Sequence, residues 1–391
     1  MTQPARVGWP TLPTLPTIRS RVTLSIRRHL RVAGVMLLTT LVMANSPASH
    51  AAGPLPALHL EPGITVSGLS SGAYMAAQYA VAFSREVVGV GVVAGGPWDC
   101  AQGRIDLATT NCSCVTEVCN PTTPSVLAFQ ATQRARGKAG VDLIDPLEEL
   151  KKQRVWLFRG QKDHTVPPGN VQAVALFYSE GMHVPASQVK STQKASAGHG
   201  LPVVDVPGAV ACGLSEPPYL NDCGVDAAGD LLTWLYPGRT SAGDAANGEL
   251  QEFDQRPYLH NLEYTGLADT GYVYVPTACK AGQAPCALHV VFHGCRQSRD
   301  ALDPQGQPVG SSFVQRAGYN RWAAASRLVV LYPQVLPVDT GTPLVGYRYN
   351  PRGCWDFWGY TRVFPSTSLH TTKAAPQMLA VRAMVEALRQ R

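Results

Sequence analysis

Six stretches of the chain are almost continuously apolar: 63–70 (GITVSGLS), 87–95 (VVGVGVVAG), 154–161 (RVWLFRGQ), 271–276 (GYVYVP), 287–294 (ALHVVFHG) and 327–334 (RLVVLYPQ). None shows the strict alternation of a strand with one wet face, so they read as strands buried on both faces. Amphipathic segments at 71–84, 124–136, 168–181, 225–236, 313–326 and 374–390 separate them and predict helices. Together they imply an α/β fold with a mostly parallel sheet and helices on both faces. Residues 238–262 are the most polar part and predict a loop-like seam. No linker and no internal repeat divides 53–391, which are expected to form a single domain.

Residues 1–52 stand apart. They carry six arginines (Arg6, Arg19, Arg21, Arg27, Arg28, Arg31), no acidic residue, and an apolar run from Val32 to Ala44 that leads to Ala51 and Ala52. A basic start, a short apolar run and small residues are the grammar of an export leader, and the run is too short to span a bilayer. The mature protein is therefore expected outside the cytoplasm, secreted or periplasmic, without a stable membrane anchor. The net charge of +6 belongs to this leader, and without those arginines 27 basic residues face 27 acidic ones. A neutral body argues against nucleic acid as a partner. All ten cysteines fall after the leader, and in an oxidising compartment they allow up to five disulfides. Cys212–Cys223 and Cys279–Cys286 would each close a short loop. The cluster CSCVTEVC (112–119) lacks a paired C-x-x-C arrangement and a nearby histidine, so no metal is expected.

Candidate chemistry begins at GLSSG (68–72). A strand that ends in a sharp turn carrying Ser70, with a helix starting at Ser71, has the context of a nucleophile elbow, where Gly68 and Gly72 let backbones come close. Read alone, the same residues could be a bend of small side chains. A serine nucleophile needs a base, and the base an orienting acid. Asp163 follows a buried strand in VWLFRGQKDHTVPP, at the sheet edge where such sites gather, although it could instead cap the helix after Pro167. His199, between two glycines in ASAGHGLP, is the candidate base on an exposed, mobile loop, with His164 as its rival. The order Ser, Asp, His is that of α/β-hydrolases. In LHVVFHGCRQS (288–298) a buried strand runs into His293-Gly294-Cys295, the form of an oxyanion-hole loop. In an α/β-hydrolase that loop precedes the nucleophile, and here it follows, which implies a circularly permuted fold.

With NPRGCWDFWGY (350–360), these motifs resemble the short-chain poly(3-hydroxybutyrate) depolymerases with the permuted (type 2) catalytic domain, over about residues 55–390. The resemblance implies a serine esterase with Ser70, Asp163 and His199 as its triad. The backbone N–H groups of Ser71 and Cys295 would form the oxyanion hole, and Trp355 would cover the active-site cleft. It also implies short-chain polyester or its oligomers as substrate, and no cofactor. A Cys295–Cys354 disulfide is expected to tie the oxyanion loop to the strip carrying Trp355. Trp98 and Trp358 suit an apolar polyester groove or, equally, core packing. No separate polymer-binding domain is expected, and the protein is taken as a monomer. A secreted feruloyl- or acetyl-type carbohydrate esterase is the alternative, and a non-catalytic polymer-binding relative a more remote one.

Overall fold

In the computed structural model, the Val-rich runs assemble into one eight-stranded sheet. The structure describes residues 52–239, 241–259, 264–280, 284–342, 347–362 and 369–389, so nearly all of the expected leader lies outside the described residues. One half of the sheet comes from β1 (Leu60–Leu69), β2 (Val87–Val93), β3 (Arg154–Gly160) and β4 (Val189–Lys194). Three short strands, β5 (Leu201–Val203), β6 (Val210–Ala211) and β7 (Leu220–Asp222), then form a small parallel sheet. The other half is β8 (Gly248–Asp254), β9 (Thr270–Pro276), β10 (Cys286–Phe292) and β11 (Leu328–Tyr332), followed by a hairpin of β12 (Val338–Thr342) and β13 (Tyr347–Asn350).

The spatial order is β4-β3-β2-β1-β10-β11-β9-β8. Strands from β4 to β11 run parallel, and β9 is antiparallel to both its neighbours. The first strand of the chain thus lies at the centre, beside a strand more than two hundred residues later. That is the permuted α/β arrangement expected from the displaced HGC loop. The described ends also meet, since the Leu58 N–H donates to the Leu388 carbonyl at 2.8 Å.

Alternate residues of the central strands feed two cores. Ile64, Val66, Leu157, Leu288, Val290 and Val329 join one cluster, and Trp156, Phe158, Val291, Leu328 and Val330 the other. Helices α1 (Ser71–Ala82), α3 (Pro124–Ala139), α4 (Pro168–Leu176) and α8 (Pro376–Arg389) pack on the first side, and the short α2 (Ile105–Leu107) adjoins it. Helices α5 (Ala227–Leu235), α6 (Ser312–Arg316) and α7 (Tyr319–Ser326) pack on the second. Every residue of α1 is buried, which is why its apolar pattern runs almost all round. The single helix expected at 313–326 is two, divided at Gly318 with φ +89°. The 168–181 helix ends in a π turn, Phe177–Gly181. Two strands of the main sheet were not anticipated, nor were the short strands β5, β6, β7, β12 and β13 outside it. β4 and β8 sit at the sheet's edges, carry polar alternation, and so lack the apolar run that marks a buried strand. β8 lies within the stretch expected to be a loop.

All ten cysteines pair: Cys100–Cys112, Cys114–Cys119, Cys212–Cys223, Cys279–Cys286 and Cys295–Cys354. No described helix is long and apolar enough to cross a membrane.

A buried polar cluster fixes the register of β1 against β10. His289 Nδ1 lies 2.6 Å from Thr65 Oγ1 and its Nε2 2.8 Å from Ser67 Oγ, while Tyr236 and Tyr319 hydroxyls complete the hydroxyl partners at 2.6 and 2.9 Å. Burial pulls the imidazole down to about 3 from its ordinary 6.5. A histidine lowered on folding costs nothing above about pH 6.5 and destabilises the fold below it, because the unfolded chain takes up the proton first. Each such group contributes a slope of about 1.4 kcal/mol per pH unit. Urea unfolding of a His289→Gln variant should therefore lose about 2 kcal/mol less stability between pH 6 and pH 4.5 than the unaltered protein. Equal losses would mean that His289 is not held neutral.

Candidate active site

Ser70 sits between β1 and α1 with φ 57° and ψ −121°, a conformation that side-chain-bearing residues avoid and that costs on the order of 1–3 kcal/mol. The surroundings hold it there. Its N–H donates to the Val93 carbonyl at 3.0 Å, and its own carbonyl accepts the Ala73 and Tyr74 N–H groups at 2.9 and 3.1 Å. The flanking glycines are sterically required. A Cβ on Gly68 would lie 2.3 Å from the Gly72 carbonyl, and one on Gly72 would lie 2.2 Å from the Phe292 carbonyl oxygen. The helix start is thereby pressed against the end of β10.

Asp163 follows β3 and is buried. Its Oδ1 accepts the N–H groups of Thr165 and Val166 at 2.9 and 2.8 Å, and its Oδ2 lies 2.8 Å from His199 Nδ1. The turn and the histidine thus use different oxygens, and the helix after Pro167 has no side-chain cap. A carboxylate can only accept here, so Nδ1 carries the proton and Nε2 keeps its lone pair. The exposed mobile loop expected around His199 is not found. Gly198, His199 and Gly200 are all buried, the His199 N–H donates to Ser215 Oγ at 2.9 Å, and Tyr219 meets the imidazole edge-on at 6.2 Å. Gly198 and Gly200 serve close packing, since a Cβ there would lie 2.5 Å from the Leu214 carbonyl oxygen and 1.8 Å from Asn221 Oδ1. His164, the rival base, is exposed.

The HGC loop leaves β10 beside Ser70. His293 is fully buried, with Nδ1 donating to the Gly294 carbonyl at 2.8 Å and Nε2 accepting the Val335 N–H at 3.3 Å. Burial lowers it to about 4, so it is a neutral brace. The neighbouring amides are engaged: Gly294 N–H to Gln297 Oε1 and Arg296 N–H to the Arg352 carbonyl, both at 2.7 Å. The N–H groups of Ser71 and Cys295 have no acceptor among the described residues. Ser70, Ser71, His199 and Cys295 line one cleft of about 480 Å³. In such a cleft a serine hydroxyl can attack a carbonyl while two free amides meet the charge that develops on its oxygen.

Trp355 departs from expectation. It is fully buried and does not line the cleft; its ring packs against Phe292 and His293 at 4.8 and 5.6 Å, and its backbone N–H donates to Ser71 Oγ at 3.3 Å. Phe357 and Trp358, two and three residues further along the strip, line the cleft instead. Trp98 is buried in the core, donating from Nε1 to the Thr371 carbonyl at 3.2 Å. Gln297 was not anticipated. A glutamine two residues after a Cys has no motif, yet it is buried and bridges the Gly294 N–H to the Pro218 carbonyl at 2.9 Å, next to the residue that packs on His199.

A serine on a strained strand-to-helix turn, at the carboxyl edge of a mostly parallel sheet and sharing a cleft with an Asp-bound histidine, defines a protein of the α/β-hydrolase class. No family model matches the chain. It is 37% identical over 342 residues to the poly(3-hydroxybutyrate) depolymerase of Delftia acidovorans, covering 86% of this chain and 62% of that protein. It is 34% identical over 326 residues to the polyhydroxybutyrate depolymerase of Talaromyces funiculosus, covering 82% of this chain and 89% of the relative. Among solved structures, the PHB depolymerase from Penicillium funiculosum superposes with a TM-score of 0.74 at 31% identity, over 86% of this chain and 98% of that one. A PHB depolymerase with a serine-to-alanine substitution, complexed with an R3HB trimer, gives 0.73 at the same identity and coverage. The chain belongs to the poly(3-hydroxybutyrate) depolymerase family.

Gln297 holds the loop whose Cys295 amide is free, so Gln297→Leu should lower kcat for a p-nitrophenyl ester about 10- to 100-fold, a fraction of the loss from deleting an oxyanion donor, with KM little changed. A rise in KM alone would assign Gln297 to substrate binding.

Proposed function

We propose that the protein is an exported serine esterase that hydrolyses poly(3-hydroxybutyrate) or its oligomers. The observation that carries this reading is the 2.8 Å contact between His199 Nδ1 and Asp163, which leaves Nε2 basic in the cleft that holds the strained Ser70. His199 takes the Ser70 proton as Oγ attacks the ester carbonyl. Asp163 keeps the imidazole in the right tautomer and stabilises its charged form. The amides of Ser71 and Cys295 receive the oxyanion. As the tetrahedral intermediate collapses, His199 returns the proton to the departing hydroxyacid chain, and a water activated the same way releases the acyl group from Ser70. Every proton and charge in the sequence is handled by these side chains and amides.

The apolar wall of Leu69, Ile105, Val115, Phe357 and Trp358 suits a polyester backbone, whose only strong polar groups are ester oxygens. Five disulfides and the basic-apolar leader support export. Buried apolar packing places Trp355 beneath the loop, where it would support the Cys295 amide and not touch substrate.

Suspensions of native granules and of amorphous polymer test the reading. The protein should clear at least the amorphous form and release 3-hydroxybutyrate or its short oligomers, and Ser70→Ala should be slower by more than about 1000-fold. Full activity in Ser70→Ala, or turnover of feruloyl esters in place of polymer and oligomers, would contradict it.

A further inference from the structure

We propose that Arg296 and Arg352 form a carboxylate-recognising rim beside Ser70 that directs cleavage toward the acid end of hydroxyacid oligomers. The proposal rests on the esterase reading above. Both arginines line the cleft and are exposed, and among the described residues no Asp or Glu lines it. Neither has a carboxylate partner among the described residues, whereas Arg134, at another site, is paired with Asp99 at 2.7 Å. The cleft wall that carries the Cys295 amide is therefore cationic, although the body of the protein is balanced in charge.

The two residues are held together by the backbone. The Arg296 N–H donates to the Arg352 carbonyl at 2.7 Å, and the Cys295–Cys354 disulfide joins the same two strips. Arg296 also has φ 61°, a left-handed conformation that glycine or asparagine would adopt with less strain. A long charged side chain thus occupies a strained position directly after the free amide, with a second arginine on the adjoining strip and neither paired with a carboxylate among the described residues.

The substrate class supplies one anion. Interior esters of a hydroxyacid polymer are neutral, and the only charge on an oligomer at neutral pH is its terminal carboxylate. In the last ester of the chain that carboxylate belongs to the departing alcohol, one hydroxyacyl unit from the carbonyl under attack. Arg296, next to the residue whose amide meets that carbonyl oxygen, is within side-chain reach of it. Guanidinium groups bind carboxylates in a planar, bidentate manner that an ammonium cannot match. The ester bond breaks by hydrolysis as before, and the rim selects which ester occupies the cleft.

The test compares the (R)-3-hydroxybutyrate trimer as free acid with its methyl ester, which has the same backbone and no charge. The free acid should show a kcat/KM about three- to tenfold higher, the size of a partly exposed charge-assisted contact. The acid-to-ester ratio should fall toward one in Arg296→Gln and in Arg352→Gln. In the unaltered protein the same ratio should fall as NaCl is raised to about 0.5 M, since salt screens an exposed pair, so the test stands even if a variant misfolds. A ratio near one at low salt, or a ratio that neither salt nor the substitutions change, would overturn the rim. Hydrolysis of neither trimer would overturn the esterase reading itself, and this proposal with it.

Discussion

The contact between the start of α1 and the end of β10 is the constraint on which the site depends. With no side chain at Gly72, its backbone comes so close to the carbonyls of Phe292 and His293 that a single added carbon would overlap them. That approach has two consequences. It presses the strand-to-helix turn into the strained conformation of Ser70, and it brings the amides of Ser71 and Cys295 to the same cleft. Residues separated by more than two hundred positions thus become one cradle, and the parallel pairing of β1 with β10 sets its register.

Several groups around the cleft keep that cradle in shape. His293 spans Gly294 and Val335 as a neutral donor and acceptor. Gln297 ties the loop to the segment that packs on His199, the Cys295–Cys354 disulfide ties it to the aromatic strip, and Trp355 lies beneath it. Preorganisation of this kind matters because donors already fixed in place need no rearrangement when charge develops. The same framework holds two arginines at the cleft rim, which gives the supporting loop a second use in selecting which ester is presented.

Much of this was legible in the order of residues. Strands buried on both faces must be apolar throughout, so β1, β2, β3, β9, β10 and β11 were visible as Val-rich runs. The edge strands β4 and β8 were not, because one side of each meets water and its pattern resembles a loop. At the site, glycines adjoining Ser70 and the His293-Gly294-Cys295 run are local patterns and could be read. The glycines around His199 misled, since a glycine that allows mobility and one that allows tight packing look alike in sequence. Trp355 misled for a related reason: a tryptophan next to a loop cysteine does not reveal which side of the strip it takes. Gln297 was invisible because its partners, Gly294 and Pro218, come from loops that only the fold brings together.

The central claim is that the strained Ser70, served by His199, is the nucleophile. Covalent trapping tests it most directly: the protein is treated with a fluorophosphonate ester, digested, and the adduct located by mass spectrometry. The account predicts one adduct per chain, on Ser70, with labelling slowed strongly by His199→Ala. An adduct on Ser71 or elsewhere, or no adduct in a preparation that hydrolyses esters, would contradict it.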